Sequence, residues 1–198
     1  MRNNEEFNLI IKDLINNNVV LEMKKYMQHC NTSCFEHCYN VSYICYKISK
    51  KFNLDYKSAA RGAMLHDLFL YDWRLPKKDR VEKGMHAFTH GLRALNNASK
   101  TFELNEIEKD MILHHMWPVT IIPPKTKEGF LLTLIDKYCA MIEIKKGLIN
   151  NLNTNFYFNY FYLMFVIMIG KLWDNTCSFF VFFCYLYCHI TKKMVYSK

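Results

Sequence analysis

GAMLHDLFLYDW, residues 62–73, sets a histidine beside an aspartate at the end of a helical run of small residues. Successive residues on a helix point about 100° apart, so His66 and Asp67 grip one ion together only where the helix ends or other helices complete the site. Further residues of the right type stand at regular intervals: His37 before the pair, then His90, His115 and Asp136 after it, each one helix plus one connection from the next. Asp67 and Asp136 both lie in apolar surroundings, where an unpaired carboxylate is costly to bury. The layout predicts one ligand or ligand pair per helix, converging on a central metal site.

Outward from this stretch, the chain reads as all-α. Its 198 residues are 51% hydrophobic, enough for one domain with a sizeable core, and Gly and Pro are scarce. Through the first 150 residues apolar groups recur at three-to-four-residue steps, and long strand-type alternations are missing. Phe7, Ile10, Ile11, Leu14, Ile15, Val19, Leu21 and Met23 predict one or two helices broken at Asn16–Asn18. A helix carrying His37 follows, with Thr32 or Ser33 as its cap. Asn53 or Asp55 caps the next, whose Ala59, Ala60, Gly62 and Ala63 form a narrow face that lets neighbouring backbones come close. YDWRLPKKDR, 71–80, reads as a charged surface loop. His86 and His90 share a helical face but lack the intervening Glu of the zinc-protease motif. Asn105 and Glu108 form a capping-box pair opening a helix that ends near Trp117-Pro118, with His114 and His115 in its last turn. After Pro123-Pro124, an apolar helix carries Asp136.

The formal charge of +8 is scattered in no long run, so a nucleic-acid polymer is not indicated, whereas a small anionic substrate is compatible. MRNNEEFN has no apolar run after its Arg, and the expected localisation is cytoplasmic. Cys30, Cys34, Cys38 and Cys45 then read as free, partly buried thiols; a zinc knot of His29, Cys30, Cys34 and Cys38 is the sharper alternative, although four-residue steps match no common zinc spacing. Composition shifts after residue 150, and 15 of the 31 aromatic residues fall in the last 48 positions. The chain is therefore divided into 1–150 and an aromatic-rich hydrophobic tail, 151–198. The apolar runs 156–169 and 179–190 are each shorter than the ~20 residues that cross a bilayer. Three readings of the tail stand side by side: a membrane contact, a segment packed on the domain, and a non-native end.

The ordered set His37, His66-Asp67, His90, His115, Asp136 resembles the HD superfamily of metal-dependent phosphohydrolases over about residues 20–145. It also looks like a bacterial branch of small HD-domain proteins, through Tyr71-Asp72-Trp73, His86 or His90, and His115-Met116-Trp117-Pro118. The resemblance implies a helical bundle, with His37, His66, Asp67 and Asp136 on a primary divalent metal and Asp67, His90 and His115 on a second. His114 stays in play as the other member of its doublet. One or two ions are implied, and Mn, Fe, Co, Ni and Mg all suit the set. The implied catalytic pair is His66 and Asp67, with Arg61, Lys83 and Lys125 as candidate substrate contacts. No Gly-Lys follows His66-Asp67 and no Gly-Tyr-Pro follows the doublet, which argues against a cyclic-dinucleotide phosphodiesterase; Leu70-Tyr71 argues against an alarmone hydrolase. Hydrolysis of a small phosphorylated metabolite or nucleotide is the expectation. The alternatives are a non-catalytic metal- or nucleotide-binding sensor and a di-iron oxygenase.

Overall fold

The structure, a computed structural model, describes residues 4–76 and 84–147. The expected tail, 151–198, lies outside the described residues, as does Lys83.

The amino-terminal apolar run forms three short helices, α1 (Glu5–Ile10), α2 (Lys12–Ile15) and α3 (Asn18–Leu21), then a 3-10 turn over Glu22–Lys25. The asparagines break it as expected, because they cap better than they propagate: Asn4 and Asn17 accept from the backbone N–H groups of Phe7 and Val19. Phe7, Ile11, Leu14, Val20 and Met23 are fully buried. A small hairpin follows, β1 (Met27–His29) paired antiparallel with β2 (Thr32–Ser33). No periodicity in the sequence marks this hairpin, where only a helix cap at Thr32 or Ser33 is expected; Cys30 takes a left-handed conformation at the tip, φ 48°.

Ser33 caps α4 (Cys34–Lys51) in a full capping box with Glu36, so this helix starts one turn before His37. Asp55 caps α5 (Tyr56–Leu65), which ends just before the His66-Asp67 pair. The remaining described helices are α6 (His86–Thr101), α7 (Glu106–His114) and α8 (Lys127–Gly147). The Asn105–Glu108 capping box opens α7 as expected.

At the centre lies α5, packed against α4, α7 and α8. Its small face is what allows this: a Cβ on Gly62 would stand 2.9 Å from the sulfur of Met111 on α7. A second close approach joins α6 to α7 at Gly91, where a Cβ would meet the carbonyl oxygens of Leu113 and Ile112 at 2.9 and 3.2 Å. Asp110 fastens α7 to the start of α8, accepting from the backbone N–H groups of Lys125 and Thr126 and from the Thr126 hydroxyl. These contacts bring the carboxyl end of α5, the first turns of α4 and α6, the end of α7 and the middle of α8 to one place. No described helix is long and apolar enough to cross a membrane.

Candidate metal centre

Five helices each deliver one or two side chains to this place. His37 comes from α4, His66 and Asp67 from the end of α5, His90 from α6, His115 from the end of α7, and Asp136 from α8. All six are buried. They fall into two groups sharing Asp67: His37, His66, Asp67 and Asp136 offer ligand atoms within 4.8 Å of one another, and so do Asp67, His90 and His115.

The protons of three histidines are fixed by the backbone. Nδ1 of His66 lies 2.7 Å from the Ala63 carbonyl oxygen, Nδ1 of His90 2.7 Å from that of His86, and Nδ1 of His115 2.8 Å from that of Ile112. A carbonyl oxygen only accepts, so each ring donates there, and in its neutral form each Nε2 carries a lone pair. Those lone pairs point at one another and at Asp67. Nε2 of His90 and Nε2 of His115 are 2.8 Å apart, and Asp67 Oδ1 stands 3.3 and 3.4 Å from them. Nε2 of His66 faces Asp67 Oδ2 at 3.3 Å and Asp136 Oδ1 at 3.5 Å. Neither His66 Nε2 nor Asp67 Oδ1 has a hydrogen-bond partner, although both are buried. Acceptors that converge without donors repel, and each left unsatisfied costs about 1–3 kcal/mol. A cation resolves both problems: neighbouring ligands about 2.1 Å from a shared ion stand about 3.0–3.5 Å from each other. The donor set fits a divalent metal.

His37 is held differently. Its Nδ1 faces Glu143 Oε2 at 2.9 Å and its Nε2 faces Asp136 Oδ1 at 3.0 Å. Burial alone would lower its pKa, but the Asp136 and Glu143 carboxylates raise it to about 10. Burial likewise opposes the charge on Asp67, and the surrounding His66, His115 and His90 hold its carboxyl well below the usual range. Burial, with His90 nearby, pushes His115 down to about 4, so that ring is neutral near pH 7. The two buried carboxylates thus call for positive charge, which in the metal-free protein protons on His37 and His66 supply, the pKa of both rings being raised above its ordinary value against burial.

Three residues of this neighbourhood went unnoticed in the sequence. Gln28, on β1, donates from Nε2 to Asp67 Oδ2 at 2.6 Å. Nothing in a three-residue strand advertises that role. Glu143 stands seven residues after Asp136, on the same face of an apolar helix, a spacing from which it was legible. Lys137 donates to the His115 carbonyl oxygen at 2.9 Å and lies 3.6 Å from Asp136 Oδ2.

Other candidates are placed elsewhere. The Nδ1 of His114 turns to Asp110 at 2.8 Å, away from both groups, because the two members of a doublet project about 100° apart. Arg61 is engaged by Asp13 at 2.7 Å and Glu108 at 3.1 Å, so it ties α5 to α2 and α7. The side chain of Lys125 is exposed, and it is its backbone N–H that binds Asp110. Cys30, Cys34, Cys38, Cys45 and Cys139 are free thiols. Cys34 donates to the Asp67 carbonyl oxygen and Cys38 lies 3.7 Å from His66 Nδ1, so both pack behind the pair. His86 stacks on His90, ring centroids 4.4 Å apart, and hydrogen-bonds the Tyr71 hydroxyl at 2.8 Å.

Fold and site together define a class: a helical domain whose successive helices each contribute to a buried His/Asp centre built around an adjacent His-Asp pair. The family model described as HD domain matches residues 34–141, more than half of the chain. The chain belongs to the HD domain family. The match begins with α4 and contains all six clustered residues, while Gln28 and Glu143 fall outside it. No curated protein matches the chain, and no solved structure does.

Proposed function

We propose that the domain is a metal-dependent phosphohydrolase acting on a small phosphorylated metabolite or nucleotide. The observation that carries this reading is the convergence of the His90 and His115 ring nitrogens on Asp67 Oδ1, a buried oxygen with no hydrogen-bond donor. His37, His66, Asp67 and Asp136 would hold one divalent ion, and Asp67, His90 and His115 a second. Such ions supply Lewis-acid polarisation of a phosphoryl oxygen and a water acidified toward neutral pH. The chain's own residues prepare for this. Backbone carbonyls fix the ring tautomers, Gln28 orients Asp67, and Glu143 orients His37. The catalytic part belongs to the His66–Asp67 pair: Asp67 stays charged across the working pH range and is shared by both groups. Burial keeps bulk water from the ligands, which strengthens every electrostatic interaction among them.

The test is release of phosphate from a panel of phosphorylated metabolites and nucleotides by protein loaded in turn with Mn, Fe, Co, Ni and Mg. Metal-dependent release supports the reading. Stable metal binding with no turnover on any phosphoester points instead to a sensor.

A further inference from the structure

None of the described cations put forward from the sequence reaches the metal centre: Arg61 is committed to Asp13 and Glu108, and Lys125 carries its side chain into solvent. Lys137 does reach it. Its ammonium lies 3.6 Å from Asp136, a member of the first group, and donates to the backbone carbonyl of His115, a member of the second. An ammonium has three donors, and the His115 carbonyl occupies one; the separation from Asp136 is longer than a hydrogen bond.

Exposure shows where solvent meets the centre. The side chains of His37, His66, Asp67, His90 and His115 are 3% exposed or less, Asp136 is 11% exposed and Lys137 22%. Among the six clustered residues and Lys137, exposure is greatest at Asp136 and Lys137, so this edge is open to an incoming small molecule. Lys137 keeps 22% of its side chain exposed while its ammonium stays beside Asp136, so a compact point charge stands at this edge. Here the head sits beside two carboxylates that repel anions unless bound cations compensate them, so the charge is useful to an anion only in the metal-loaded protein.

We propose that Lys137 binds the phosphoryl group of the substrate, donating to a non-bridging oxygen at the Asp136 edge of the centre. The assignment rests on the phosphohydrolase reading for its substrate, and on the position of the ammonium for its chemistry.

Inorganic phosphate is the probe, titrated calorimetrically into full-length, metal-loaded protein, with metals per chain measured on the same samples. Lys137→Met should weaken phosphate binding about ten- to hundredfold, the loss expected for one charge-assisted hydrogen bond, without changing metal content. Lys137→Arg should bind within a few-fold of wild type, and Lys109→Ala, a surface control paired with Glu106, should match it. Phosphate affinity within twofold of wild type in Lys137→Met overturns the assignment. If that variant misfolds or loses metal, Lys137→Arg and Lys137→Gln decide: affinity following the charge supports the role, and equal affinity for the two overturns it. Lys137-dependent phosphate binding by a protein that hydrolyses no phosphoester removes the hydrolase reading and leaves the anion site standing. A phosphatase whose KM, kcat and phosphate inhibition are unmoved in Lys137→Met does the reverse.

Discussion

Gly91→Ala separates the packing of the bundle from the geometry of the second ligand group. The added Cβ would stand 2.9 Å from the Leu113 carbonyl oxygen and 3.2 Å from that of Ile112, whereas ordinary contact begins at 3.4 Å. Both obstacles are backbone, so α6 must withdraw from α7 by about half an ångström. Overpacking of this kind costs about 1–3 kcal/mol. A helix-interior Gly→Ala change returns about 1 kcal/mol through propensity. The net loss is then about 0–2 kcal/mol, a fall in Tm of no more than about 8 °C for a chain of this size. The metal centre is less tolerant. His90 precedes the substituted residue, and the Ile112 carbonyl under pressure is the one that orients the His115 ring. Ligand distances in a metal site hold to about 0.2 Å, so the shift exceeds what the Asp67, His90 and His115 group absorbs. Metals per chain, measured with a thermal melt, should show two ions in wild type, with the second weakened at least tenfold in Gly91→Ala and the first retained. Two ions of wild-type affinity in the variant would refute the reasoning.

Asp67→Ala should remove metal and phosphohydrolase activity together, because Asp67 belongs to both groups; activity undiminished in this variant would overturn the metal-hydrolase reading. His115→Ala should empty mainly the second position, leaving the ion at His37, His66 and Asp136 partly in place, as read from metal stoichiometry. His114→Ala should leave metal content unchanged while lowering Tm by a few degrees, since it removes one hydrogen bond from Asp110. The His37 pKa, raised from 6.5 to about 10 by Asp136 and Glu143 against burial, stabilises the metal-free protein fully below pH 6.5 and progressively less as pH rises toward 10. The ion at His37, His66, Asp67 and Asp136 must displace that proton, so between pH 7 and 9 its affinity should rise at least severalfold per pH unit with release of the His37 proton, both measurable by calorimetry in buffers of differing ionisation heat, whereas the ion at His90 and His115 should bind with little pH dependence there.

The positions of the helices were legible because punctuation is local: Ser33 with Glu36, Asp55, and Asn105 with Glu108 cap the helices their spacing announces. The meeting of His37, His66, Asp67, His90, His115 and Asp136 was legible through residue type and order alone. The supporting residues were harder. Gln28 acts from a hairpin that no periodicity marks, and its partner is 39 residues away. The partners of Arg61, Asp13 and Glu108, were not legible because they become its neighbours only when α2 and α7 pack against α5. For His114 and His115 the sequence offers two adjacent imidazoles; only Asp110, one turn back, decides which of them turns away.

The contact between His37 and Asp136 spans 99 residues of chain, from the first long helix to the last described one. An ion held between them acts as a clasp on the ends of a nearly domain-length loop. Closing so long a loop is entropically slow and unrewarded until its final contact forms. Metal would therefore arrive late, locking α8 onto a bundle already assembled from α4 to α7. Its removal would hand the clasp to a proton, because His37 then carries the charge that Asp136 and Glu143 hold, and α8 stays tied to α4 until pH nears 10.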